Sequence, residues 1–214
     1  MLAAVMAAAA LTSPHVLVVT ETRGFVHDSI PAATAMVTSL GYRTTVLSGA
    51  NQLTARRLRD ADAIVFLNTS GELRLNAAGK RRLERFVRDG GGLVGTHSAA
   101  DTFHSWPAFQ RLIGAEFRGH PPPGPGRVDV VDHAFTSTRS FTITEEFYAF
   151  HWRTKRHVVA RMHDGAPLVW WRRYGRGRVF YDALGHFSAT WSEPHQRRLV
   201  ADGLRWAIGR PAAR

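Results

Sequence analysis

Five short stretches hold the side chains that could do chemistry. They are Thr22-Arg23-Gly24-Phe25-Val26-His27-Asp28-Ser29, Gly95-Thr96-His97-Ser98-Ala99-Ala100-Asp101, Gly119-His120-Pro121, Glu145-Glu146-Phe147-Tyr148 and Leu184-Gly185-His186-Phe187. Neutral imidazole ligates zinc and other first-row metals, and near neutral pH it also serves as general acid or base. A carboxylate beside aromatic rings, as in Glu145-Glu146-Phe147-Tyr148, can have its pKa raised into the range of a proton donor. A lone histidine at a turn is more often a hydrogen-bonded, half-buried residue than a ligand. Here His27, His97, His120 and His186 each follow a strand pattern or a Gly-rich turn. If His27, His97 and His186 end strands of one sheet, they meet at one crest, where they would hold a divalent metal such as zinc or move protons. A helix starting at His97 would put Asp101 on the same face, as an orienting pair requires.

The elements that must position these groups follow from periodicity. Residues 15–20 (His-Val-Leu-Val-Val-Thr) form a continuous β-branched run of the buried-strand type. Ser29 is placed as the N-cap of a helix over residues 32–40, ended by Gly41. Strands follow at residues 43–47, 63–68 and 93–96. Between them come a short helix at 54–59 and an amphipathic helix from the Asn76 cap to Arg88. Gly90-Gly91-Gly92-Leu93-Val94-Gly95-Thr96-His97 resembles a nucleophile elbow with histidine in the nucleophile position. Three βα units at this spacing predict a parallel, doubly wound sheet whose carboxyl edge holds the chemistry. Beyond Asp101 the pattern predicts a helix from Ser105-Trp106-Pro107 to Ile113 and a surface loop at the proline-rich residues 121–126. Short strands follow at 127–131, 140–144 and 158–162. A β-hairpin spans Tyr174-Gly175-Arg176-Gly177, and a last helix opens at Ser192-Glu193-Pro194.

The chain of 214 residues suits one full-sized domain, and no linker or repeat divides it. The absence of cysteine excludes disulfides, thiolate metal sites and a Cys nucleophile. A formal charge of +11 raises nucleic acid as a partner. The arginines are dispersed over polar helix faces, however, and no recognition signature accompanies them, so no nucleic-acid partner is expected. No P-loop, GxGxxG turn or GxSxG elbow is present, so no nucleotide cofactor is expected either. Residues 1–11 are apolar and Ala-rich, followed by Thr12-Ser13-Pro14. Residues 1–14 read as the remnant of a secretory signal, without its positive start, or as a disordered N-terminus. Cytoplasmic and exported locations both stay open. The run is too short to span a bilayer, and no membrane partner is expected.

Taken in order, Gly24-Phe25-Val26-His27-Asp28-Ser29, Val65-Phe66-Leu67-Asn68-Thr69-Ser70-Gly71, Gly90 through Asp101, Glu146-Phe147-Tyr148 and Ala183-Leu184-Gly185-His186 resemble the ThuA-like (trehalose-utilisation) family. The resemblance implies a flavodoxin-like, class I glutamine-amidotransferase-like α/β fold over residues 15–210, with an added β-hairpin. The amidotransferase Cys is replaced by His97, so glutamine amidotransfer is not implied. It further implies a role in carbohydrate catabolism, on a disaccharide, glycoside or keto-sugar, by hydrolase, lyase or isomerase chemistry. On this basis His97, Glu146, His186 and Asp101 are the expected catalytic residues, and His27, Asp28, His120 and Tyr148 the expected substrate contacts. His27, His97 and His186 are the expected ligands of a divalent metal. The expected partner is a small carbohydrate, and a homo-oligomer is compatible. Ala149 stands where family members often carry Asn, and the proline-rich loop after His120 is unusual; both bear on the substrate more than on the fold. The competing reading is a non-catalytic sugar-binding or accessory module on an enzyme-like fold.

Overall fold

The computed structural model describes residues 13–209. The N-terminal residues read above as a signal remnant therefore fall, up to residue 12, outside the described residues. In chain order the strands are β1 (His15–Val19), β2 (Arg43–Leu47), β3 (Ala63–Leu67), β4 (Gly92–Thr96), β5 (Ala115–Gly119), β6 (Gly124–Val130), β7 (Phe141–Glu145), β8 (Ala149–Trp152), β9 (His157–Met162), β10 (Pro167–Tyr174) and β11 (Gly177–Asp182). The α-helices are α1 (Ile30–Thr38), α2 (Ala55–Arg59), α3 (Ala77–Arg88), α4 (Pro107–Ile113) and α5 (Pro194–Ile208).

Among the described residues the main sheet has nine strands in the order β2-β1-β3-β4-β11-β10-β9-β6-β7. Strands β2, β1, β3, β4 and β11 run parallel to one another, as the βα spacing predicts. The expectation of a largely parallel sheet with one added hairpin holds for only half of it. Strands β10, β9, β6 and β7 pair antiparallel, so the sheet is mixed. Part of the reason lies in the connections: only short turns join β9 to β10 and β10 to β11, and a short turn can only reverse the chain. Strands β5 and β8, which periodicity does not show, form a separate two-stranded sheet.

Every residue of β1, β3 and β4 is buried, because helices cover both faces. α1 and α5 meet across the 3₁₀ turn Ser188–Ser192, whereas α3 contacts both α2 and α4. α5 approaches β4 so closely that a Cβ on Gly92 would sit 2.6 Å from the Ala207 carbonyl oxygen. That backbone contact explains a glycine in a buried strand.

Two local expectations are corrected. Gly124, Pro125 and Gly126 belong to β6 and not to a surface loop. They pair with β7 alone, since β9 joins β6 only from Val128 onward, so the missing N–H of Pro125 breaks no ladder on the open side. Ser29 occupies the N-cap position of α1 but makes no side-chain capping bond. Its hydroxyl instead donates to the Gly185 carbonyl at 2.8 Å, on the far side of the crest.

Candidate functional site

The carboxyl ends of β1, β3, β4 and β11 deliver His27, Asn68, His97 and His186 to one place. His97 follows β4 directly and is fully buried. Its φ of +45° is rare for a side chain larger than glycine's, and backbone held this way clusters at functional sites. The turn that follows is a single 3₁₀ turn, His97–Asp101, built from small residues. Tyr181 donates its hydroxyl to the His97 carbonyl and holds the strained turn from below.

His97 Nδ1 lies 2.9 Å from the Ala183 carbonyl oxygen, which can only accept, so Nδ1 carries the proton in the neutral ring. Nε2 then presents its lone pair to the site. It lies 3.0 Å from His27 Nε2, 2.9 Å from the Tyr148 hydroxyl and 3.6 Å from Glu146 Oε2. His27 Nδ1 faces the Ser98 hydroxyl at 3.4 Å. His186 Nδ1 sits 3.0 Å from Glu146 Oε2, yet this buried nitrogen has no hydrogen-bond partner of acceptable direction. His120 Nε2 reaches Glu146 Oε1 at 3.5 Å from the rim, its other nitrogen facing the Pro121 carbonyl. One ligand atom from each of His27, His97, Glu146 and His186 lies within 4.8 Å of all the others.

The electrostatics follow from burial among like groups. Burial, then the neighbouring His97 and His186, pushes the His27 pKa down to about 3, so its imidazole is neutral. Burial also lowers His186, against the attraction of Glu146. For Glu146 burial acts upward, but the imidazoles of His97, His186 and His120 around it outweigh burial and hold the carboxyl below its ordinary range. Burial, reinforced by Glu146, raises Tyr148 far above a free phenol, so its hydroxyl keeps its proton and donates. The site therefore offers two neutral imidazoles, a fixed carboxylate and a protonated phenol.

Of the expected residues, His27, His97, His120, Glu146, Tyr148 and His186 come together. Asp28 is exposed and bonds through its backbone carbonyl, to the Ser188 hydroxyl at 3.5 Å. Asp101 does not orient His97. The 3₁₀ turn advances faster per residue than an α-helix and carries Asp101 away, to Ser70 Oγ at 2.5 Å and His104 Nε2 at 2.9 Å.

Two residues outside the expected set hold the site together. Glu145 is fully buried, and its carboxyl oxygens accept from the backbone N–H groups of Glu146, Gly185 and His186, each at 3.1 Å, and from the Thr190 hydroxyl. Asn68, also buried, donates to the Gly185 carbonyl at 2.8 Å and to Ser29 Oγ at 3.0 Å. Trp191 Nε1 donates to the same carbonyl at 3.1 Å. Gly185 itself has φ +136°, and a Cβ there would lie 2.8 Å from the Trp191 ring. The available signals were the Glu145-Glu146 pair and the polar residue that ends the β3 run.

Fold and site together define an α/β protein with a histidine–carboxylate cluster at the carboxyl edge of its parallel strands, where open sheets of this kind bind ligands. The chain belongs to the ThuA family, whose model, described as trehalose utilisation, matches residues 15–207. Similar solved structures include a ThuA-like protein from Bacteroides uniformis, 20% identical, with 91% of this chain and 92% of that one covered at a TM-score of 0.75. A ThuA-like protein from Parabacteroides merdae is 16% identical, covering 95% and 92% at 0.78. A β-galactosidase from Bacillus circulans is 14% identical, with 94% of this chain on 32% of that one at 0.61. No curated protein sequence matches the chain. Among the described residues no helix is long and apolar enough to cross a membrane.

Proposed function

We propose that the chain is a carbohydrate-modifying enzyme whose active site is the His27–His97–Glu146–His186 cluster, with a divalent cation such as zinc as its cofactor. One observation carries the reading: four ligand atoms from four separate loops converge within 4.8 Å. Two nitrogens bound to one tetrahedral zinc at about 2.0–2.1 Å stand about 3.3 Å apart, close to the 3.0 Å between His27 Nε2 and His97 Nε2. The Ala183 carbonyl bond to His97 Nδ1 is the outer contact that metal-binding imidazoles characteristically make. A bound cation would polarise a sugar carbonyl or hydroxyl. With His27, His97 and His186 holding the cation, Glu146 would stay free to take or return a proton on the substrate, Tyr148 would donate a hydrogen bond to an oxygen that gains negative charge, and His120 would close the rim.

The family's description supports a saccharide substrate, with glycosides and keto-glycosides foremost. The parallel strand order β2-β1-β3-β4-β11 is the flavodoxin-like order and supports the relation to class I amidotransferases. With His97 at the elbow and no cysteine in the chain, no glutaminase step is available. The test is metal analysis of protein purified without a tag, followed by a turnover screen of glycosides and 3-keto glycosides. Near-stoichiometric metal and turnover abolished in His97→Ala are expected. Sugar binding without turnover, equal in His97→Ala, would instead establish a non-catalytic module.

A further inference from the structure

A second polar recess lies on the same edge, at the ends of β1 and β2. It consists of a 510 Å³ cavity and a 440 Å³ cavity that share Asn51 and Arg74. Arg23 and Gln52 line the first, Arg82 the second. We infer that this trough binds the oxyanion group, phosphate or carboxylate, of a small hydroxyl-rich ligand.

The inference rests on unanswered positive charge. Ion pairs of arginine among the described residues are made by Arg88, Arg127, Arg153 and Arg205. The guanidinium groups of Arg23, Arg74 and Arg82 take part in none of them. Glu21, the carboxylate that lines the trough, forms no ion pair with them. It is buried, and its oxygens accept from the backbone N–H of Ala50 at 2.8 Å and of Arg74 at 3.1 Å. Glu21 thus ties the loops after β2 and β3 to the end of β1, while Arg23, Arg74 and Arg82 line the two cavities. Arg82 Nε is shielded from solvent and has no partner. A buried donor left so is unfavourable, and a small shift of the side chain toward an oxyanion would satisfy it. Arginine forks match the paired oxygens of phosphate and carboxylate, and the amides of Asn51 and Gln52 suit hydroxyl groups beside them. Arg23 and His27 lie four residues apart on one loop, whose Arg23 and Gly24 N–H groups are both anchored on the Ser70 carbonyl. The trough does not depend on the metal reading of the His27 cluster.

The experiment is isothermal titration of the whole chain with inorganic phosphate, glucose 6-phosphate and glucuronate, at constant ionic strength. Chelator is present, so that a metal in the His27 cluster cannot capture the anion. Saturable one-to-one binding is expected for at least one probe. It weakens at least tenfold in Arg23→Ala/Arg74→Ala and stays within twofold in Arg139→Ala/Arg161→Ala, which removes equal charge from the opposite end of the sheet. Circular dichroism establishes that both variants are folded. Tighter binding of glucose 6-phosphate than of phosphate assigns a phosphorylated sugar, tighter glucuronate a sugar acid, and phosphate alone the free ion. Non-saturable binding of all three, or equal losses in the two double variants, overturns the inference, because either result reports only the general basic surface.

Discussion

Glu145→Ala probes the link between the sheet and the site. The substitution removes the acceptor of three backbone N–H groups, of Glu146, Gly185 and His186, and of the Thr190 hydroxyl. The hydroxyl can rotate to another acceptor; the three backbone groups are fixed. A buried donor left unpaired costs about 1–3 kcal/mol, so the three together put the loss between about 3 and 9 kcal/mol. The loop at partly exposed His186 can admit water, which places the expected value at about 3–5 kcal/mol, the cost of removing one partner from a buried charged contact. Urea unfolding should show this as a lower midpoint at unchanged slope. Glu145→Gln keeps one oxygen and should lose about half as much. Because Glu145 fixes both Glu146 and His186, zinc affinity should fall about 10–100-fold in Glu145→Gln, as for other groups that orient metal ligands. Unfolding of Glu145→Ala within about 0.5 kcal/mol of the parent, the range of an ordinary surface substitution, would refute the accounting. Lost stability with unchanged zinc affinity in Glu145→Gln would show that Glu145 supports the fold without setting the site.

Three further outcomes are expected. His97→Gly and His97→Ala should both abolish turnover, but the glycine variant should be the more stable by about 1 kcal/mol in thermal unfolding, since only glycine relieves φ +45°; equal melting temperatures would remove the strain argument. The His27 pKa is about 3 when folded, against an ordinary 6.5. His27 therefore contributes its full stability above pH 6.5 and loses it as pH falls toward 3, because only the unfolded chain takes up the proton there. The metal-free parent should lose stability relative to His27→Gln by up to about 1.4 kcal/mol per pH unit across that window, and a flat difference would contradict it. Random duplex DNA should show no micromolar, salt-sensitive binding at physiological ionic strength, because the arginines do not form one stripe.

What the sequence determined by itself was local. Runs of β-branched residues marked β1 and β3, and the bounds of β2 came out residue for residue, because burial on both faces or an edge position leaves its mark on every side chain. Asn76 was legible as a cap, and its side chain accepts from the Gly79 N–H at 2.8 Å. The His27, His97, Glu146, Tyr148 and His186 motifs marked the crest, since each follows an element whose end periodicity can locate. Tertiary structure decided the rest. Strands β5 and β8 are short and half-exposed, so no alternation announces them. The pairing of Pro125 depends on which side of β6 lacks a neighbour. Ser29 caps nothing because its backbone is already helical, at φ −76° and ψ −13°, and its oxygen accepts from distant Asn68 instead. Glu145 and Glu146 are adjacent and chemically identical, yet one is enclosed by backbone donors and the other faces imidazoles. A side chain's type is written in the chain; its partners are set by which distant loops close around it, and that depends on how the sheet orders its strands.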